Sequence, residues 1–291
     1  MEKYHFINDI VIKTGSRAVP LYIVIGETAV IIDGGILPDL DAVSRIVTAL
    51  SDEVTISHWL ITHAHYDHCG LLPYLRDLLP DCTVCGSSKS SESLSRQGVI
   101  EFVDARNREL HQDMCSSSDL CQQSLRKYRI DKIVEAGDEI DLGKGVRLML
   151  INAIGHSPCS LAVWLPHQRM LFPSDALGSC LNANDIMPLI FYSYKEYLAT
   201  NKRLARLDPE WVFLGHYALF YGSEAASLCD RAREDIFRFQ NHYMSLERQI
   251  GQQPALTALC NQYYDSSAVF IRPDIFRASL ERMCHLIKES L

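Results

Sequence analysis

The sequence predicts an α/β fold in which helices cover layered β-sheet. Three observations carry that expectation. Strand-length apolar runs and helical stretches follow one another in β-β-α-β-α-β order through the first third of the chain. Strands then return after a helical middle. Histidines and aspartates stand directly behind the apolar runs rather than within them. With 291 residues, 47% of them hydrophobic, the chain can bury a large core in one big domain, or in one domain with an appendage.

Pro20 to Ile25 and Ala29 to Ile32 are apolar runs split by Gly26-Glu27, a hairpin signal, and the second ends in Asp33-Gly34-Gly35. Pro38 opens a helix marked by Val43, Ile46, Val47 and Leu50 at helical spacing. Ser57 to Thr62 is a third strand. Gly70 to Leu79 reads as a helix, with Pro73 tolerated in a first turn whose N–H groups have no intrahelical partner. Cys82 to Cys85 gives a further strand. From Ser88 to about Ile130 the pattern is helical, with Val99, Phe102, Val103, Leu110 and Met114 on one face and a serine-rich break at Ser116 to Ser118. Strands resume at Glu139 to Leu142 and Val146 to Ile151, joined by Gly143-Lys144-Gly145. Leu161 to Leu165 and Arg169 to Phe172 form a second hairpin. Past Gly222, Ser223 is a good N-cap. Leu228, Ala232, Ile236, Phe239, Tyr243, Leu246 and Ile250 then recur every three to four residues up to Gly251. Pro254 and Pro273 each open another helix, the last striped by Phe276, Leu280, Met283 and Ile287.

The net charge of −8 speaks against a nucleic-acid partner, which needs a basic face. No apolar run reaches membrane-spanning length, and MEKYHFINDI lacks the pattern of a secretory leader. The expectation is a cytoplasmic protein with no membrane partner. Ten scattered cysteines fit free thiols in that compartment. Cys82 and Cys85 form a C-x-x-C, but no second pair completes a zinc site, and residues three apart on a strand face opposite ways. They read as packing residues.

The chemistry concentrates in ITHAHYDHCG, residues 61–70, where three histidines and an aspartate share the spacing H-x-H-x-D-H behind a buried strand. His63 and His65 can face one ion as the strand ends, and Asp67 and His68 a second after the chain has turned. Two ions need more ligands than one short motif supplies, and further candidates follow in the same context. His156 lies in NAIGHSPCS, Asp175 in MLFPSDALG and His216 in EWVFLGHYALF, each on the loop behind an apolar run. His5, His58, His111, His167, His242 and His285 lack that context and read as structural or exposed.

The ordered set His63, His65, Asp67, His68, His156, Asp175 and His216 resembles the metallo-beta-lactamase superfamily over residues 1 to about 222. The resemblance implies an αββα sandwich, with a helical insertion at about 88–130 and a C-terminal helical cap over 223–291. One ion would take His63, His65 and His156, and the other Asp67, His68 and His216, with Asp175 bridging. Asp33 in IIDGG matches an aspartate that orients the ligand loop. The resemblance further implies two divalent ions (iron or zinc, with manganese also suited), a hydroxide nucleophile and Asp67 as both ligand and proton shuttle. Three positions depart from the pattern. Cys159, Ser174 and Tyr217 stand where glycine is frequent, which makes the pocket wall particular to this chain.

Hydrolysis is the expected reaction. Thioesters suit it because a thiolate leaving group, with a conjugate-acid pKa of about 8.5, departs without a dedicated acid. HWLITHAHYDHCGLLPYL, GHSPCSLAVW, LFPSDALG and RPDIFRASLERMCHLI look very like the thioesterases of Pseudomonas quinolone signalling, which act on 2-aminobenzoylacetyl-CoA. That likeness implies a site roofed by helices, iron, a homodimer and contact with a LuxR-type regulator. It also makes Ser179 and Ser279 pocket-wall candidates, beside Tyr217 from the departures above. Two other readings stand beside it: a regulatory protein that binds a partner, with the hydrolase site secondary, and a lactonase or phosphodiesterase.

Overall fold

Four antiparallel strands open the chain: β1 (Phe6–Asn8), β2 (Val11–Gly15), β3 (Pro20–Ile25) and β4 (Ala29–Ile32). The computed structural model describes residues 6–114, 125–180, 185–264 and 271–291. Strand β4 reads AVII and is buried along its whole length. An unbroken apolar run is what a strand covered on both faces requires. Helix α1 (Leu40–Ser51) carries the chain across to β5 (Ile56–Leu60), which pairs parallel with β4. Its Val43, Val47 and Leu50 are buried on one face, each contributing about 1.5–3 kcal/mol of apolar burial. Pro38 sits in a 3-10 turn, Leu37–Asp39, that precedes α1 rather than in the helix itself. Asp39 uses its carboxylate to accept the Ser16 N–H at 2.8 Å and does not cap α1.

Behind β5 come two short helical pieces, α2 (Tyr66–Cys69) and α3 (Leu72–Leu75), then a 3-10 turn at Arg76–Leu78. The single helix expected over 70–79 is therefore broken up. Pro73 supplies no N–H, and Tyr74 bonds back to Leu71 three residues away, which tightens the turn. Strand β6 (Thr83–Gly86) continues the parallel set. Helices α4 (Ser88–Ser95) and α5 (Gln97–Met114) follow, divided at Arg96, whose backbone is extended. Strand β7 (Lys132–Ile133) then closes a seven-stranded sheet in the order β1-β2-β3-β4-β5-β6-β7. The buried stripe of α5 is Ile100, Val103, Asn107, Leu110 and His111, whereas Phe102 and Met114 are exposed. That corrects the face read from apolar spacing alone, because two of the buried positions are polar. The break expected at Ser116 to Ser118 lies outside the described residues, as does His5.

The second sheet has the order β15-β14-β11-β10-β9-β8. Its strands are β8 (Glu139–Asp141), β9 (Arg147–Asn152), β10 (Leu161–Leu165), β11 (Met170–Ser174), β14 (Trp211–Leu214) and β15 (Leu219–Tyr221). Strands β8 and β9 are an antiparallel hairpin, β11 and β14 run parallel, and β14 and β15 antiparallel. A small pair, β12 (Ser179–Cys180) with β13 (Ile186–Met187), and helix α6 (Tyr194–Leu204) lie between β11 and β14 in sequence. Two mixed sheets flanked by helices are thus followed by α7 (Ser223–Ile250), α8 (Gln252–Tyr263) and α9 (Pro273–Glu289). Gly222, not Ser223, holds the N-cap of α7, at φ 61°.

Contacts divide the chain into two compact units, Met1–Ile151 with Val163–Gln168, and Asn152–Ala162 with Arg169–Leu291. In the second, Ile236, Phe239 and Tyr243 of α7 pack with Leu256 and Leu259 of α8 and with Phe276, Leu280, Met283 and Ile287 of α9. Met187, Ile190, Tyr194 and Tyr197 complete that cluster. Among the described residues, no helix is long and apolar enough to cross a membrane. Cys82 and Cys85 are free thiols, pushed up to about 12 and about 11 chiefly by burial.

Candidate metal centre

Asp33 follows β4 directly and adopts φ 66°, a left-handed conformation that aspartate tolerates better than most residues. Its backbone is tied on both sides. Its N–H donates to the Leu60 carbonyl at 2.9 Å, and its carbonyl accepts the Trp59 indole N–H at 2.9 Å. The carboxylate is thereby aimed at the loop behind β5. Oδ1 accepts both the backbone N–H of Thr62 (3.0 Å) and its hydroxyl (2.6 Å), while Oδ2 lies 2.9 Å from His68 Nδ1. The Thr62 hydroxyl, its proton given to Asp33, stands 3.1 Å from His63 Nδ1. One carboxylate therefore selects the tautomer of two histidines, leaving the lone pair of each on Nε2.

The loop itself is held by its backbone. Gly34 N–H donates to His68 O at 2.7 Å, Leu71 N–H to Gly34 O and Gly70 N–H to Gly35 O. A Cβ on Gly34 would stand 2.9 Å from both the Cys69 Cα and the His68 carbonyl, so only glycine fits. Asn107 of α5, fully buried, donates from Nδ2 to the Tyr66 carbonyl (2.8 Å) and accepts the Leu37 N–H (3.0 Å). It clamps the peptide between His65 and Asp67. His63, Asp67 and His68 are buried and His65 half-buried. His63 Nε2 and His65 Nδ1 are 3.1 Å apart, and His68 Nε2 is 3.8 Å from Asp67 Oδ2.

His156, Asp175 and His216 form a second assembly. His156 sits behind β9 and donates from Nδ1 to the Leu189 carbonyl at 2.8 Å, so its Nε2 carries the lone pair. Asp175 follows β11, and His216 occupies the turn from β14 to β15. Asp175 Oδ2 is 3.2 Å from His156 Nε2 and Asp175 Oδ1 is 3.4 Å from His216 Nε2. All three side chains are buried. Ser174 (φ 51°) and Tyr217 (φ 63°) flank Asp175 and His216 in left-handed backbone, the conformation that makes glycine frequent at such places. Cys159 is buried behind His156, where Ser157 Oγ accepts its N–H. Ser179 is buried at the start of β12, Ser279 is half-buried on α9, and Tyr217 is half-buried.

The donor set fits divalent ions. Two ligand atoms on one tetrahedral ion, each at about 2.0–2.1 Å, stand about 3.3 Å apart. The His63–His65, His156–Asp175 and His216–Asp175 separations of 3.1, 3.2 and 3.4 Å bracket that value. Within the first unit His63 and His65, and Asp67 and His68, bring donor atoms together, and within the second His156, Asp175 and His216 do so. Imidazole with carboxylate suits zinc, iron or manganese alike. Nothing in the ligand spacing singles out Asn107, and little singles out Thr62. Only the place of Thr62, directly before H-x-H, gave a signal; Asn107 is one polar residue on a long helix.

The metallo-beta-lactamase superfamily model matches residues 16–216. The chain belongs to that superfamily. A metallo-beta-lactamase fold-containing protein of Sulfurisphaera tokodaii, ST1585, is 28% identical over 203 residues, which is 68% of this chain and 72% of that protein. A nitric oxide reductase of Moorella thermoacetica is 22% identical over 158 residues, 54% of this chain but only 33% of the reductase. Among solved structures, archaeal ST1585 from Sulfolobus tokodaii superposes with a TM-score of 0.64 at 21% identity, covering 96% of this chain and 97% of that one. The metallo-beta-lactamase family protein TTHA1429 from Thermus thermophilus gives 0.61 at 18% identity, with 96% and 93% covered. At these identities the structural likeness establishes the metallo-beta-lactamase fold, including its sheets and flanking helices.

Proposed function

We propose that this chain is a dinuclear metal-dependent hydrolase acting on thioesters. The observation that carries the proposal is Asp175, whose two oxygens each face a different histidine, Oδ2 toward His156 and Oδ1 toward His216. A carboxylate so placed would be able to hold one ion with each oxygen. Two divalent ions, when bound, supply a water acidified toward neutral pH and polarise a carbonyl oxygen. The chain's own residues do the rest. Asp33, with Thr62, and the Leu189 carbonyl keep the ligand nitrogens bare, and Asp67 holds the proton released as the acyl group is attacked. No Ser/His/Asp triad is needed. A thiolate leaves without an acid to protonate it, which favours an acyl-CoA or a similar small thioester over an alkyl or phosphate ester.

In this reading the substrate belongs to quinolone-type signalling, and the protein acts as a homodimer that also contacts a LuxR-type regulator. Oxygen or nitric oxide reduction is the second reading, favoured by the relatives of the nitric oxide reductase and diflavin flavoprotein kinds.

The test is a substrate panel on purified protein loaded with zinc, iron or manganese. It contains acyl-CoA and aryl thioesters, acyl-homoserine lactones, bis-p-nitrophenyl phosphate, and oxygen and nitric oxide with a reductant. Thioester hydrolysis lost in Asp67→Ala is the expected result. A fully loaded protein that cleaves no thioester overturns the proposal, and turnover of another member of the panel replaces it.

A further inference from the structure

Helix α6 turns Tyr197, Thr200 and Asn201 onto one face, at spacing i, i+3, i+4. Each is at most 1% exposed. Burying polar groups costs free energy unless they are hydrogen-bonded, and here each of the three side chains finds backbone close to His156 or Asp175 among its partners. Thr200 Oγ1 donates to the Ile154 carbonyl at 2.7 Å. Asn201 Nδ2 donates to the Ala176 carbonyl at 2.8 Å. The Tyr197 hydroxyl donates to the carbonyl of Asp175 itself at 3.1 Å and accepts the Leu189 N–H at 3.3 Å. Leu189 in turn accepts His156 Nδ1. A single hydroxyl therefore links the carbonyl of Asp175 to Leu189, the residue whose own carbonyl orients His156.

The contact is close enough to exclude adjustment. Gly155, at φ 138°, has no room for a Cβ, which would lie 2.3 Å from Tyr197 Cα. Burial holds the phenol protonated at all ordinary pH, so it remains a donor. Behind it, Tyr197, Tyr194 and Ile190 pack into the apolar cluster built by α7, α8 and α9. Phe191, against the same cluster, sets its ring 5.1 Å from that of His156.

We propose that Tyr197 is a positioning residue for metal binding, setting the spacing of His156 and Asp175 through Leu189 and the Asp175 carbonyl. The proposal rests on the reading of these two side chains as ligands. A purely structural tyrosine would stabilise the fold equally with and without metal. A positioning one acts on affinity.

The experiment compares the wild type with Tyr197→Phe, Thr200→Val and Tyr243→Phe. Tyr243 bonds Glu247 within the same helical cluster and serves as the control. Zinc affinity and stoichiometry are measured by competition with a chromophoric chelator, and thermal midpoints on the metal-free proteins. Tyr197→Phe is expected to weaken one of two zinc ions tenfold or more, the usual scale for losing a group that orients a ligand. Thr200→Val weakens the same ion less, and Tyr243→Phe leaves both unchanged although its metal-free midpoint falls. Affinity within twofold of wild type in Tyr197→Phe, or an equal loss in Tyr243→Phe, overturns the inference alone. If Tyr197→Phe does not fold, unchanged affinity in Thr200→Val overturns it. A wild-type chain that takes up none of zinc, iron or manganese overturns both this inference and the proposed function.

Discussion

Asp33 is the smallest place at which the centre can be broken without touching a ligand. Its two oxygens accept from Thr62 and from His68 at once, and no neutral amide can accept at both positions. Asp33→Asn is therefore expected to keep the fold yet lower zinc affinity tenfold or more, measured by chelator competition. The candidate ligands were legible at this scale because histidine and aspartate are few and their spacing is unusual. Thr62 was not, since a threonine at a strand end has many bland explanations. Its part is set by a hydroxyl proton whose direction depends on an aspartate about thirty residues earlier.

At the scale of elements, two loops cross: the one carrying Asp33-Gly34-Gly35 and the one running through His68, Cys69 and Gly70. Gly34 is the point of closest approach. Gly34→Ala should cost about 1–3 kcal/mol through overpacking against backbone that cannot yield, read as a lowered midpoint in urea. Metal uptake should fall with it, because His68 moves with the displaced peptide. The long helices were legible from apolar periodicity, and the hairpin of β3 and β4 from Gly26-Glu27. The short strands β1, β2, β12 and β13 were not. Val11–Gly15 mixes Lys13 and Thr14 into a brief run, and pairing with β3 rather than its own pattern makes it a strand. The buried face of α5 was misread for a related reason: Asn107 is inside because it has backbone partners there, which no hydropathy pattern records.

At the scale of the whole molecule, the proposed ions bind the folded chain and not the unfolded one. Mass action then stabilises the fold by about 2.7 kcal/mol at a hundredfold excess over the dissociation constant. Removing metal with a chelator should lower the thermal midpoint by several degrees, and zinc, not magnesium, should restore it, as followed by calorimetry. Equal midpoints with and without metal would contradict that linkage. The order of the ligand candidates along the chain, each behind a strand, was legible because strand ends are where such folds place chemistry. Which helices brace them was not, because α6 meets its loops through carbonyls, and carbonyls are the same in every residue.

Ser174 and Tyr217 have a further consequence. Holding a side chain in left-handed backbone costs about 1–2 kcal/mol, and glycine would relieve it. Glycine would also loosen the unfolded chain by roughly 0.5–1 kcal/mol. The two effects oppose one another and are of similar size, so these positions lie on nearly level ground. The side chains beside Asp175 and His216 can therefore be exchanged at little cost to the scaffold, so the backbone leaves their identity open on either side of the candidate ligands.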